Sequence, residues 1–345
     1  MTMHYGPISC ALDLSAAGKR SGHFDLEHSD NRHAFSTIRS PLGVIRGGDG
    51  PVALVCGGNH GDEYEGQIIA RRLYERLAPE DLVGGLIMAP ALNMPAVSDA
   101  RRVSPLDGGN LNRSFPGAPD AGPTKAIAGF VARHLMPLAS LGIDIHSGGS
   151  DLDFLDCAYV CLSGDPARDR RTRELADVMA LPHSVVVPPH DTAGDFDGAA
   201  HEAGCDMLSC ELGGEGKISL RALEAGWHGV LRVLAHRGII TRAAADRLGV
   251  QPAKPTCFLD FGAGRSTVTV DDAGLIEPVT AIGSRVTAGQ TVAVLRNLTH
   301  MDRAPLALAA PGDGIVMTRR RNVLEEPGDH YCMIVTEMDA EALPV

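Results

Sequence analysis

The sequence predicts an α/β fold, with a mixed, mainly parallel sheet flanked by helices and a smaller all-β domain after it. Short buried strand segments alternate with amphipathic helical segments over the first 250 residues, and this alternation is typical of α/β domains. A proline-containing segment at 251–255 precedes short strand-like runs broken by glycine, without a long amphipathic helix. We therefore expect two domains, at residues 1–250 and 256–345.

The expected elements of the first domain follow from apolar periodicity and from turn residues. A leading strand or hairpin that includes 33–39 precedes buried strands, which are expected at 52–56, 85–90, 141–146, 159–162, 184–187 and 206–211. Helices are expected at 64–78, 124–138, 168–181 and 219–236. The loop at 91–123 is long for a compact domain, and loops of such length are usually functional.

Composition limits the partners that this chain is expected to have. The formal net charge is −12, and an acidic surface disfavours nucleic acids and anionic membranes. No apolar run reaches the roughly 20 residues that span a bilayer, and the N-terminus shows no signal-peptide pattern. Eight cysteines without a CxxC pair are expected to be reduced. We expect a cytoplasmic protein without nucleic-acid or membrane partners.

Two histidines and a carboxylate follow buried strands in a pattern that suits zinc. His60-Gly-Asp-Glu63 comes after one strand, and His146 ends another. The carboxyl ends of parallel strands share one edge of a sheet, and catalytic zinc sites use three protein ligands and a water. We predict that His60, Glu63 and His146 bind Zn²⁺. Asp144 lies on the same strand face as His146 and is placed to orient it.

A solvated turn is the alternative for the first of these segments, because an HxxE pattern is common and the chain has 14 histidines. Glycines flank both histidine segments, and Glu211 ends a further buried strand before a glycine pair. This convergence at strand ends favours a metal site. Glu211 is a candidate to take a proton from water near the metal, with a capping carboxylate at a turn as the alternative.

Basic and amide side chains of the long loop suggest a carboxylate-binding site. Asn110-Leu-Asn-Arg113 follows a glycine pair, and an arginine such as Arg113 binds a carboxylate through two parallel hydrogen bonds. Asn112 offers a further donor. Either Arg101 or Arg102, upstream in the same loop, is placed to polarise a carbonyl group. The alternative is that these arginines only solvate the loop.

The segments GGNHGDEYEG, NLNRSFPG, DIHSGG and ELGGEG occur in this order and resemble the succinylglutamate desuccinylase and aspartoacylase family. The resemblance covers roughly residues 50–240 and implies a zinc-carboxypeptidase-like catalytic domain. By this resemblance, His60, Glu63 and His146 are expected to be zinc ligands, and Asn112 and Arg113 are expected to bind the substrate carboxylate. Glu211 would be the general base and acid. Arg102 would polarise the carbonyl group, with Arg101 as the alternative.

Within the family, ARRVSPLDGGNLNRSFPG is most similar to the branch that deacetylates N-acetyl-2,4-diaminobutyrate in ectoine breakdown. The resemblance thus implies a zinc-dependent amidohydrolase whose partner is a small N-acyl amino acid, in a homo-oligomer, most simply a dimer. Removal of succinyl or acetyl groups from glutamate or aspartate derivatives is the alternative reaction. A carboxylate-binding protein without catalysis is the alternative of another class.

The C-terminal segments 283–289 and 310–316 are similar to lipoyl-like barrel-sandwich repeats. No lysine stands at the turn to carry a lipoyl or biotinyl group, so we expect a lid or an interface. The roles of His190, His201 and His300 stay open at this point, each being expected at the surface or in the core.

Overall fold

A 14-stranded mixed sheet runs through the described residues (2–31, 34–189 and 194–343) of this computed structural model. A smaller sheet contains four further strands, β12, β14, β15 and β17. The strands of both sheets are, in chain order, β1 (Met3–Tyr5), β2 (Ile8–Cys10), β3 (Gly18–His28), β4 (Ser36–Arg46), β5 (Val52–Gly57), β6 (Gly85–Ala89), β7 (Leu141–His146), β8 (Leu152–Cys161), β9 (His183–Val187), β10 (Asp206–Gly214), β11 (Cys257–Thr269), β12 (Gly274–Pro278), β13 (Arg285–Val286), β14 (Thr291–Arg296), β15 (Leu306–Ala309), β16 (Gly314–Arg320), β17 (Leu324–Glu325) and β18 (His330–Glu337).

The helices connect these strands on both sides of the sheet. They are α1 (Glu65–Arg76), α2 (Met94–Ser98), α3 (Pro123–Phe130), α4 (Pro166–Met179), α5 (Phe196–Glu202), α6 (Leu220–His236) and α7 (Arg242–Arg247). Beyond α3 the chain stays helical through a π-helical turn and a 3₁₀ turn to residue 138. Within the described ranges, no helix is long and apolar enough to cross a membrane.

The sheet is mixed, as expected, but its parallel part is confined to the centre. Its order is β1-β2-β3-β4-β6-β5-β7-β10-β8-β9-β11-β18-β16-β13. Strands β6, β5, β7 and β10 are parallel neighbours, and so are β8, β9 and β11. Antiparallel hairpins extend the sheet on the N-terminal side, because the first 50 residues form the paired strands β3 and β4.

The central strands are buried on both faces, which explains their continuous apolar sequence. Ala53 and Val55 of β5 belong to the core that contains α1, α4 and α6, whereas Leu54 and Cys56 belong to the core that contains α3 and α5. Alternate side chains of a strand point to opposite faces. Helices cover both faces, as the α/β prediction requires.

Three details differ from the sequence prediction. The fourth buried strand begins at Leu152 rather than at Tyr159, because it also pairs with β16 beyond the first domain. The seven-residue helix α5 lies in a segment without a helical pattern in the sequence. The strand expected at 33–39 begins at Ser36, and His33 lies outside the described residues.

The C-terminal region is β-rich and shares the main sheet. Strand β11 pairs with β9 and with β18, and β16 pairs with β8. A second sheet has the strand order β15-β14-β12-β17. Together with strands β11, β16 and β18 of the main sheet, it encloses a separate hydrophobic core. Residues 251–256 have no regular secondary structure. The domain boundary expected there stays a prediction, since the sheet continues across it.

Gly66 of α1 packs directly on the main chain of β7, and we expect Gly66→Ala to weaken the fold. A Cβ atom at this position would lie 2.4 Å from the carbonyl oxygen of Ile145. Overpacking of this kind costs about 1–3 kcal/mol, measurable as a lower free energy of unfolding in urea.

The control for Gly66→Ala is Gly312→Ala in the turn before β16. Apart from its chain neighbours, no described residue comes within 4 Å of the added methyl, and φ of Gly312 lies outside the left-handed region. We expect an unchanged or slightly higher stability, because alanine restricts the unfolded chain more than glycine does. Equal stability of Gly66→Ala and the wild type would contradict the tight contact between α1 and β7.

Candidate metal centre and substrate pocket

The predicted ligands lie at the carboxyl edge of three adjacent parallel strands. His60 follows β5, and His146 is the last residue of β7. Glu211 of β10 lies directly beside His146, because the two residues are register partners. Parallel strands that end at one edge gather the polar residues that follow them, as the sequence predicted.

Glu63 brings the two histidines together. Its Oε1 lies 2.8 Å from Nδ1 of His60, and its Oε2 lies 2.8 Å from Nδ1 of His146. Ligand atoms of the three side chains all lie within 4.8 Å of one another, and all three side chains are buried. Two imidazoles and one carboxylate are a donor set that zinc accepts.

The outer ring nitrogens of both histidines are held by oxygen atoms. Nε2 of His146 lies 2.9 Å from Oδ2 of Asp144, to which the side-chain amide of Asn59 also donates at 2.8 Å. Nε2 of His60 lies 3.1 Å from Oδ1 of Asn110. Such contacts fix ring orientation and leave the Nδ1 atoms for a metal. The contact of Asp144 was predicted, whereas that of Asn110 was not, although Asn110 begins the NLNR segment.

The charges of the site favour a bound cation. Burial works to raise the pKa of Glu63, but the neighbouring His146 and His60 outweigh burial and hold that pKa below its ordinary value. Burial works to lower the pKa of His146, but the carboxylates of Asp144 and Glu63 outweigh it and hold that pKa well above its ordinary range. Asp144 and Glu63 therefore stabilise positive charge on the ring of His146, and the same carboxylates would stabilise a divalent cation bound by this group.

Glu211 is the third carboxylate at this edge and has unused bonding capacity. Burial, and after it the charge of Glu63, raise the pKa of Glu211 to about 8. Its buried Oε2 has no hydrogen-bond partner in the described part of the chain. A buried carboxylate oxygen without a partner is costly, which suits a group that receives a proton or binds a ligand.

A cavity of about 380 Å³ opens over the metal-ligand group. Six of its wall residues were predicted as site residues, namely His60, His146, Glu211, Arg102, Asn112 and Arg113. The sequence left open whether Arg101 or Arg102 polarises the carbonyl group. Nη1 of Arg102 lies 3.3 Å from Nδ1 of His60, whereas Arg101 lies outside the cavity wall and pairs with Asp99 at 2.8 Å.

Asn112 is held in a fixed orientation. Its Oδ1 accepts a hydrogen bond of 2.9 Å from the backbone N–H of Phe196. The side-chain NH₂ group is thereby left to donate to a ligand. The same contact fastens the NLNR segment to the start of α5, and Phe115 packs edge-on against Phe196 with ring centroids 5.3 Å apart.

Several cavity residues carried no signal in the sequence. Asp195, Asp197 and Tyr159 come from segments without a motif, and Phe261 and Arg265 come from β11 in the C-terminal region. Arg265 lies over the ring of Phe261 at 4.6 Å. The C-terminal region therefore forms one wall of the cavity, because β11 pairs with β9 beside it.

Of the three histidines whose roles the sequence left open, the two that the structure describes lie away from the metal-ligand group. His201 is buried in α5 and is not part of the cavity wall, and His300 is exposed in a turn after β14. His190 lies outside the described residues.

Known proteins are similar to this chain over most of its length. Residues 49–237 match the model of the succinylglutamate desuccinylase/aspartoacylase catalytic domain. The chain is 35% identical over 334 residues to the N-alpha-acetyl-L-2,4-diaminobutyric acid deacetylase of Halomonas elongata, covering 97% of this chain and 96% of that protein.

Two solved structures are similar over nearly the whole chain. A succinylglutamate desuccinylase from Silicibacter sp. TM1040 has a TM-score of 0.91 and 32% identity, covering 97% of this chain and 100% of that one. The product-bound ectoine utilization protein EutE (DoeB) from Ruegeria pomeroyi has a TM-score of 0.90 and 35% identity, covering 96% of this chain and 100% of that one.

The relatives that are named deacetylase, desuccinylase and aspartoacylase place this mixed α/β fold, with its buried His-Glu-His group, in the class of amide-cleaving hydrolases known as deacylases. The chain belongs to the succinylglutamate desuccinylase/aspartoacylase family.

We expect Asp144→Asn to weaken binding of Zn²⁺ by about 10- to 100-fold, because an amide holds the ring of His146 less well than a carboxylate does. Competition with a chromogenic chelator measures the affinity. The control is Asp206→Asn at the opposite end of β10, where Asp206 bonds Arg171 and Arg237. Equal Zn²⁺ affinities of the wild type and Asp144→Asn would contradict a role of Asp144 in metal binding.

Proposed function

We propose that this chain is a zinc-dependent amidohydrolase that removes the acetyl group from N-alpha-acetyl-L-2,4-diaminobutyrate. The observation that carries the proposal is that His60, His146, Glu211 and Arg113 line one cavity, with the Glu63 carboxylate between the two histidines. The name of the Halomonas elongata relative supports the substrate, and that of the Ruegeria pomeroyi relative supports a place in ectoine utilization.

The finer architectural assignments belong to the same proposal. The catalytic domain is zinc-carboxypeptidase-like and spans residues 1–250, and the all-β domain at 256–345 closes one side of its cavity. The wall formed by Phe261 and Arg265 supports this role for the second domain. The cytoplasmic location and the dimer stay predictions from the sequence.

His60, Glu63 and His146 would hold the zinc ion. When bound, zinc polarises the scissile carbonyl group and makes a water molecule more acidic. The buried His-Glu-His donor set, with both outer ring nitrogens held by oxygen atoms, supports this assignment.

Glu211 moves the proton. Its Oε2 takes a proton from the attacking water as the new C–O bond forms, and then gives that proton to the amide nitrogen as the C–N bond breaks. The products are acetate and the free amine. Burial favours the protonated form of Glu211 between these steps. A divalent cation held by the three ligands would lower this pKa, so that Glu211 would begin as a carboxylate near neutral pH.

The arginines bind the two anionic groups. Arg102 lies beside the metal-ligand group and donates to the carbonyl oxygen as negative charge develops there. Arg113 and the NH₂ group of Asn112 bind the α-carboxylate of the substrate. This anchoring keeps the scissile bond beside Glu211, which lowers the entropy cost of the reaction.

A second candidate is a deacylase of dicarboxylates such as N-acetylaspartate or succinylglutamate. Arg102, Arg113 and Arg265 line the same cavity, so two cations remain available for carboxylates while Arg102 serves the carbonyl group. A carboxylate-binding protein without catalysis would need the arginines but neither the metal-ligand group nor Glu211.

The experiment that tests the proposal is a substrate panel with zinc present. We expect the highest kcat/KM for N-alpha-acetyl-L-2,4-diaminobutyrate, against N-acetylaspartate and N-succinylglutamate, with release of the free amine as the measurement. A chelator should abolish turnover and added zinc should restore it. Highest kcat/KM for a dicarboxylate would favour the second candidate, and absence of both metal and turnover would favour the binding protein.

Glu211→Gln should keep the metal and lower kcat by about 10²- to 10⁴-fold, because glutamine has no carboxylate to accept the proton. Metal analysis and steady-state kinetics measure the two effects separately. The control is Glu215→Gln in the following turn, where Glu215 pairs with Lys217 and near-normal kcat is expected. A kcat for Glu211→Gln within tenfold of wild type would exclude Glu211 as the proton carrier.

A further inference from the structure

Two aspartates form part of the cavity wall without any place in the chemistry described so far. Asp195 and Asp197 line the same cavity as His60, Arg113 and Glu211. Asp195 stands directly before α5, and its Oδ1 accepts a hydrogen bond of 2.8 Å from the backbone N–H of Gly198. Helix capping therefore accounts for one oxygen of Asp195 and for neither oxygen of Asp197.

Asp197 is held by neutral donors alone. Ser209 donates to its Oδ1 at 2.5 Å, and the thiol of Cys161 donates to its Oδ2 at 3.2 Å. Asp197 is only 8% exposed. Such a buried carboxylate is expected to pair with a cation, yet no salt bridge joins Asp195 or Asp197 to any other residue that the structure describes.

The electrostatics of this pair show the same shortage of positive charge. Burial, and after it the neighbouring Asp197, raise the pKa of Asp195 to about 7, although the charge of Arg113 opposes the shift. Burial also raises the pKa of Asp197. A cation placed between the two carboxylates would reverse both effects, since an opposite charge stabilises the ionised form.

The cavity wall also contains one carboxylate oxygen that is buried and unpartnered among the described residues, Oε2 of Glu211. Arginines line the same cavity. The wall thus offers cationic groups for a carboxylate and anionic groups for an amine. An amino acid with an ammonium group on its side chain has both of these charges.

We infer that Asp195 and Asp197 bind an ammonium group on the substrate side chain, so that the cavity selects N-acyl amino acids with a cationic side chain over neutral and anionic ones. This inference rests on the proposed function and adds the residues that choose the side chain. An ammonium group is compact and carries three donors, which suits two carboxylates whose remaining partners are neutral.

The same pair disfavours the dicarboxylate substrates of the second candidate. A carboxylate on the substrate side chain would lie beside the two buried acids Asp195 and Asp197, and like charges in a desolvated site repel strongly. A neutral side chain would leave both acids without a cation. The selectivity therefore has an attractive and a repulsive part.

The test compares three N-acetyl amino acids that differ in side-chain charge. N-acetyl-2,4-diaminobutyrate is cationic, N-acetyl-2-aminobutyrate has the same carbon skeleton without the amine, and N-acetylaspartate is anionic. The quantity of interest is the ratio of kcat/KM for the cationic substrate to that for the neutral one. We expect this ratio to fall about 10- to 100-fold in Asp195→Asn and in Asp197→Asn, since the charge-assisted hydrogen bond to the ammonium group becomes one to a neutral amide oxygen.

Two features keep these variants interpretable. Asparagine caps helices as well as aspartate does, so Asp195→Asn retains the start of α5. Glu202→Gln removes one negative charge from the exposed end of the same helix, outside this cavity, and should leave the ratio unchanged. A ratio that stays within threefold of wild type in both aspartate variants would overturn the inference.

Binding of the amine product separates this inference from the proposed function. Calorimetry with 2,4-diaminobutyrate and 2-aminobutyrate measures the charge preference without turnover. Tighter binding of the diamine that is lost in Asp195→Asn supports the inference even if no substrate is hydrolysed. Turnover of N-acetyl amino acids with no preference for the diamine overturns the inference and leaves the proposed function intact.

Discussion

The position of the Glu63 carboxylate between two imidazoles is the contact on which the rest of the site depends. Both of its oxygens lie 2.8 Å from an Nδ1 atom, one in His60 and one in His146. These histidines are far apart in the sequence and meet only because β5 and β7 are parallel neighbours in the sheet. A buried carboxylate is costly unless it is paired, so the sheet register and the site charge stabilise each other.

Close packing of the backbone makes this arrangement possible. A Cβ atom at Gly61, within the HGDE segment, would lie 2.0 Å from the main-chain carbon of Ala96. Only glycine permits that approach. The N–H of Gly61 also donates to the carbonyl oxygen of Arg101 at 2.9 Å, which fastens the metal-ligand turn to the segment that presents Arg102. The loop that supplies the arginine is thereby fixed relative to the metal-ligand group.

The sequence predicted those parts of the site that depend on local pattern and strand ends. His60 follows a buried strand, and His146 and Glu211 lie near the ends of two others. The shared edge of parallel strands brings such residues together independently of loop conformation. The choice between Arg101 and Arg102 needed the backbone, because neighbouring loop residues point in directions that no periodicity fixes. Asp195 and Arg265 were not predictable, since they reach the cavity through a short helix and through the distant pairing of β11 with β9.

Residues inside the family segments and residues outside them have different proposed roles in the cavity. In the proposed function, residues within the family segments such as Glu63 and Glu211 hydrolyse an amide beside a carboxylate, whatever the side chain of the acyl amino acid. The inferred choice of side chain falls to residues outside those segments, because Asp195, Asp197 and Arg265 line the part of the wall that the segments do not supply. Membership of the family therefore gives the class of reaction, and on this proposal the balance of acidic and basic groups on that wall decides which amino acid is released.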